Sequence, residues 1–113
     1  MKVKRFGEAK AYDAPNHRGC ISLRLQGWEE GGPKDFWVGL SHFLPGGGAG
    51  PDSSPLERVY VILAGELTLI MDGEETVLGR NDSCYIGPNE KREIVNRGSD
   101  VVTMLVALPY PPK

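Results

Sequence analysis

The chain has 113 residues, 40% of them hydrophobic and 25% charged, with a formal net charge of -2 and a pI near 5.7. That length supports one hydrophobic core and excludes two, so residues 1–113 are read as a single domain and every motif as part of one site. The slightly acidic balance excludes the electrostatic footprint of a nucleic-acid or anionic-membrane partner.

In chain order, the basic start "MKVKRFGEAKAYDAP" has no apolar stretch of the kind an export signal needs, and no later run reaches the roughly 20 apolar residues that span a bilayer. The expectation is a cytoplasmic protein. Residues 1–19 carry little pattern, and Pro15 and Asn16 suggest an arm that packs late or on a partner subunit. "CISLRLQGW" alternates Ile21, Leu23 and Leu25 with Ser22, Arg24 and Gln26, which predicts a strand. "DFWVGLSHFL" is a second strand, read as ending in a glycine-rich turn, "PGGGAG". "RVYVILAGELTLIM" reads as two strands broken near Gly65, and Asp72-Gly73 suits the positive φ values of a two-residue hairpin turn. "ETVLG", "DSCYIG", "REIVN" and "VVTMLVALPYPP" supply the remaining strands.

No window shows helical spacing of apolar residues without an interrupting Gly or Pro. Gly and Pro together make 24 of the 113 residues, which suits many short strands joined by turns. Seven to nine such strands predict an all-β, antiparallel sandwich or barrel, a design that also hides strand edges. Cys20 and Cys84 lack metal-ligand spacing and are read as reduced thiols, with Cys84 a core residue.

Two segments carry the spacing of a known family. Gly46 of "LPGGGAG" and Gly65 of "LAGEL" match the glycine anchors of G-x5-H-x-H-x3-E-x6-G. "LGRNDSCYIGPNEKREIVNRG" is similar to the second motif, G-x5-P-x-G-x2-H-x3-N, with Asn81 and Asn89 at its glycines, Gly87 at its proline and Asn96 at its closing asparagine. On these motifs the chain resembles a small single-domain cupin. The resemblance implies a double-sheet jelly roll, the cupin β-barrel, and a homodimer in which N-terminal strands extend a neighbour's sheet. Asn is the residue that best replaces Gly in a left-handed turn, so both exchanges leave the turns intact.

The family's metal ligands are two histidines, a glutamate and a third histidine. Asp52, Ser54, Arg58 and Arg92 stand at those positions, and a guanidinium has no lone pair to give a metal. The expectation is a site without metal or cofactor. Strand alternation turns Arg58, Tyr60 and Ile62 inward and pairs Arg92 with Ile94, so two guanidinium groups reach one cavity as clamps for a carboxylate or phosphate. Arg58 and Arg92 can equally pair with acids such as Asp52 inside the protein. Ser54 and Tyr60 complete the ligand-binding set. His42 and Asp52 are the acid/base candidates, with the parity of the His42 strand left open. His17 is read as a surface turn residue, or one that a swapped arm carries to a neighbour's cavity. Trp37, Phe43, Tyr60, Tyr85 and Met104 are candidates for the apolar lining, about two of them touching ligand.

The function expected from these residues is a metal-independent cupin that binds a small anionic, carboxylate-like or oxygen-rich metabolite. If it is an enzyme, proton-transfer chemistry suits it: isomerisation, cyclisation or elimination. One alternative is a non-catalytic binding or sensor module. A second is a metal-dependent site that recruits Glu57 and His42 beside Asp52.

Overall fold

The computed structural model describes residues 1–112. Among them are nine strands: β1 (Lys10–Tyr12), β2 (His17–Gln26), β3 (Phe36–Asp52), β4 (Arg58–Ala64), β5 (Leu67–Met71), β6 (Glu74–Leu78), β7 (Ser83–Ile86), β8 (Arg92–Val95) and β9 (Val102–Pro109). The helical content is two 3-10 turns, Phe6–Glu8 and Trp28–Glu30. No helix among the described residues is long and apolar enough to cross a membrane.

All pairings are antiparallel and run β6-β5-β8-β3-β9-β4-β7, with β2 and then β1 added along the other side of β3. The result is a nearly closed barrel, the all-β jelly roll expected from the turn spacing. Strand β3 joins its two halves. Phe36–Phe43 pairs with β9, while Gly48, Ala49 and Asp52 pair with β8. "PGGGAG" is therefore the middle of a 17-residue strand, not a turn. Gly47 and Gly48 serve close backbone approach, while Gly46 takes a positive φ of 83°. A Cβ on Gly48 would sit 2.2 Å from the Ile94 carbonyl oxygen, and one on Gly47 2.4 Å from that of Gly19.

The turns behave as the residue types require. Asp72 and Gly73 both have positive φ, 52° and 77°, in the hairpin between β5 and β6. Asn81 and Asn89, at the two family glycines, adopt φ of 69° and 63°. Asn96 is fully buried and satisfied: its Nδ2 donates to the Phe43 and Asp100 carbonyls at 3.0 and 2.8 Å, and its Oδ1 accepts from the Gly98 N–H at 3.0 Å. It ties the end of β8 to the middle of β3.

The N-terminal segment pairs within its own chain, Ala11 opposite Leu23. That pairing uses residues 10–12 of the stretch expected to reach a partner. The core contains Phe43, Ile62, Leu67, Ile94, Val102 and Met104, each under 3% exposed.

Candidate functional site

One end of the barrel holds a cavity of about 490 Å³. Strand alternation builds its walls as expected on β4, where Arg58 and Tyr60 point in and Val59 and Leu63 point out. Arg92 on β8, Trp37 and Ser41 on β3, and Met104, Val106 and Leu108 on β9 complete the inner surface. Asp52 and Ser54 come from the end of β3 and the turn that follows. All four positions that hold metal in other cupins thus line one cavity.

Their bonding differs from residue to residue. Arg92 is 7% exposed and ion-paired with Asp52, donates from Nη1 to the Asp52 carbonyl at 3.0 Å, and reaches the Tyr60 hydroxyl from Nε at 3.4 Å. The second Asp52 oxygen accepts from Asn16 Nδ2 at 3.4 Å. Ser54 Oγ accepts from the Leu56 N–H at 3.1 Å, which closes the turn. Arg58 has neither an ion pair nor a hydrogen bond with any described residue. Of the two expected clamps, one is engaged internally and the other is open to a ligand.

As a metal site the set fails on donor chemistry. It offers one carboxylate, already facing a guanidinium, and one hydroxyl; the other two positions are cations without lone pairs. Glu57 does not turn inward. It faces outside, where its Oε1 accepts from the Tyr85 hydroxyl at 2.8 Å. No group of three or more His, Cys, Asp or Glu side chains among the described residues converges as a metal would need.

His42, whose strand parity the sequence leaves open, faces away from the cavity, and His17 lines it. His42 falls on the opposite face of β3 from Ser41 and Phe43, bonds through Nδ1 to Thr103 Oγ1 at 3.1 Å and meets the Phe6 ring edge-on. It does not line the cavity. His17 does, stacked on Phe43 with ring centroids 6.2 Å apart. Its backbone pairs with Ala49, and its neighbours fix it further: Asn16 O accepts from the Gly50 N–H at 3.0 Å, and Arg18 reaches Gly50 O at 2.9 Å and Glu93 at 2.8 Å. Burial pushes the His17 imidazole below its ordinary pKa; the Arg92 and Arg58 charges act in the same direction, while the Pro15 carbonyl and Asp52 act against it.

Tyr85 is 59% exposed and stands outside the barrel, so it is no part of the lining; Trp37 and Met104 are lining, and Phe43 lies behind His17. Burial raises the Cys84 thiol pKa, in keeping with a packed thiol. Sequence reading missed Tyr12, Asp13, Arg24 and Trp28. The Arg24 guanidinium lies 4.6 Å from the Tyr12 ring centre and 5.0 Å from that of Trp28, and bonds Glu29 at 2.7 Å. The signal for Arg24 was the alternation of "CISLRLQGW", whose polar set turns inward: Ser22 is buried and bonds Ser41 Oγ at 3.0 Å, while Ile21 is 57% exposed. A second, wider cavity of about 770 Å³ at the other end is lined by Glu66, Glu75, Arg80 and Arg97, and Glu75 and Arg97 pair with each other. It has none of the aromatic walls of the first.

The cupin domain family matches residues 39–108. Beta-D-galactosidase Rv1717 of Mycobacterium tuberculosis is 45% identical over 111 residues, 98% of this chain and 96% of that protein. Among solved structures, the polyketide cyclase RemF of Streptomyces resistomycificus superposes with a TM-score of 0.87 at 21% identity, over 99% of this chain and 82% of that one. A cupin-superfamily sugar phosphate isomerase of Silicibacter pomeroyi gives 0.73 at 26% identity, over 83% of this chain and 61% of that one. By its motifs, its barrel and these matches, the chain belongs to the cupin family.

Proposed function

We propose that this cupin is an enzyme that hydrolyses β-galactosides in the 490 Å³ cavity, using its own side chains and no metal. The observation that carries this reading is the conversion of the metal positions into a polar, hydrogen-bonding ring inside aromatic walls. Trp37 and Tyr60 supply aromatic wall suited to the C–H surface of a sugar, while Arg58, Ser41 and Tyr12 offer donors to its hydroxyls. A 45% identical, full-length relative named a β-D-galactosidase, and a sugar phosphate isomerase on the same fold, support the sugar class. Arg58 adds a preference for an oxygen-rich or anionic substituent, since no acid among the described residues pairs with its guanidinium.

Hydrolysis needs a group that gives a proton to the leaving oxygen and one that takes a proton from water or attacks the anomeric carbon. Two carboxylates, Asp13 and Asp52, line the cavity. Asp13 is exposed and has no ion pair with a described residue, so its carboxylate is open to relay a proton between solvent and the leaving oxygen. Asp52 is held by Arg92 and Asn16 and shapes the field around the reacting carbon. The same groups would serve isomerisation, cyclisation or elimination on a sugar; the relative's name favours hydrolysis.

Galactose release from a nitrophenyl β-galactoside, by protein dialysed against a chelator, tests the proposal. Turnover that survives dialysis, with Arg58→Ala raising KM about tenfold for an acidic galactoside, is the expected result. Turnover lost with a stoichiometric metal overturns the metal-free reading. Sugar binding without release of galactose favours a binding module, which needs Arg58 but no proton donor. Native mass spectrometry of the same sample tests the expected homodimer and co-purified ligand.

A further inference from the structure

We propose that His17 Nε2 is the base that takes the proton from water in this cavity, an assignment that rests on reading the cavity as a hydrolytic site. The imidazole has one committed nitrogen. Nδ1 lies 2.7 Å from the Pro15 carbonyl oxygen, which can only accept, so Nδ1 carries the hydrogen and the lone pair sits on Nε2. No described residue hydrogen-bonds Nε2. The ring lines the cavity and is clamped against Phe43, so its orientation is set before any ligand arrives.

The other candidate base is worse placed. One Asp52 oxygen faces Arg92 and the other faces Asn16, so both are engaged and a guanidinium neighbour weakens the carboxylate as a base. The charged groups around His17 are Arg92 from β8, Arg58 from β4 and Asp52 from the end of β3. With burial, the two arginines keep the ring neutral and able to accept; Asp52 offsets the charge once it has done so. In the step itself, Nε2 removes one proton from water as the water oxygen bonds to the anomeric carbon. The glycosidic C–O bond breaks with its electron pair on the leaving oxygen, which takes a proton relayed from solvent past Asp13. Solvent then takes the proton from His17, which balances the one given to the leaving oxygen, and one water has been consumed.

The test compares His17→Gln with His42→Gln, whose ring lies outside the cavity. His17→Gln is expected to lower kcat on a nitrophenyl β-galactoside about 100-fold and to remove the acidic limb of kcat/KM, with KM changed less than about threefold. His42→Gln is expected to keep both. An acidic limb that survives in His17→Gln overturns the assignment. Where that variant does not fold, nitrogen-15 NMR of the wild-type imidazoles decides: an Nδ1–H tautomer whose Nε2 resonance moves on adding galactose is required, and an Nε2–H tautomer or no response refutes it. Wild-type protein that releases no galactose while Nε2 still responds defeats the hydrolase reading and the proton step with it, but not the contact.

Discussion

On β4 the inner face carries Arg58, Tyr60 and Ile62, and the outer face carries Val59, Val61 and Leu63. On β2 the inner side has Ser22 and Arg24, and Ile21 stands 57% exposed. At the cavity end, β2 and β4 thus set arginines and a serine into an inner wall that β3 and β9 keep apolar, and leave Ile21 and Val59 exposed outside. Around Phe43, Ile62, Leu67 and Ile94 the interior is apolar in the usual way. The difference teaches that the barrel is held by one region and given its chemistry by the other, and that changes in the two should separate stability from function.

The largest effect is expected where the frame is tightest. Gly48→Ala pushes a Cβ to 2.2 Å from the Ile94 carbonyl oxygen, and urea denaturation should show a loss of about 3 kcal/mol or more. Asn96→Ala leaves the Phe43 and Asp100 carbonyls and the Gly98 N–H without a partner and should cost about 2–3 kcal/mol. Asp52→Ala strands the buried Arg92, for about 2 kcal/mol, because the acid itself is 39% exposed and water reaches its place. Arg92→Met together with Asp52→Ala should recover most of that loss, which would show that the pair is retained for the site and not for stability.

Outside the barrel, Glu57→Gln or Tyr85→Phe breaks an exposed hydrogen bond and should change stability by less than about 0.5 kcal/mol. The smallest expected effect is a pH dependence. His17 binds its proton less readily folded than unfolded, so the unfolded chain takes up more protons as pH falls through the ordinary histidine range. Stability should therefore be highest above that range and decline as pH drops through it, with the decline reduced in His17→Gln. An unchanged decline in that variant would assign it to another group.

Turns and strand order were legible because Gly, Asn and Asp are the residues that most readily take positive φ: Asp72-Gly73, Asn81 and Asn89 all do so. The convergence of Asp52, Ser54, Arg58 and Arg92 was legible through motif spacing for the same reason. Parity was not. "FWVGLSHFL" is apolar on both faces, so nothing local said that His42 faces out. Glycine has two uses, and "PGGGAG" turned out to serve backbone contact along β3 instead of a bend. His17 was hidden because its position depends on contacts more than 30 residues away, to Gly50, Pro51 and Asp52.

A crystal structure of the protein soaked with galactose tests the central claim most directly. The account predicts one sugar in the cavity of Arg58 and Arg92, with a hydroxyl or ring oxygen within hydrogen-bonding distance of Arg58 and of His17 Nε2. A metal ion bound by Asp52, or sugar seated only in the opposite cavity of Glu75 and Arg97, would contradict it.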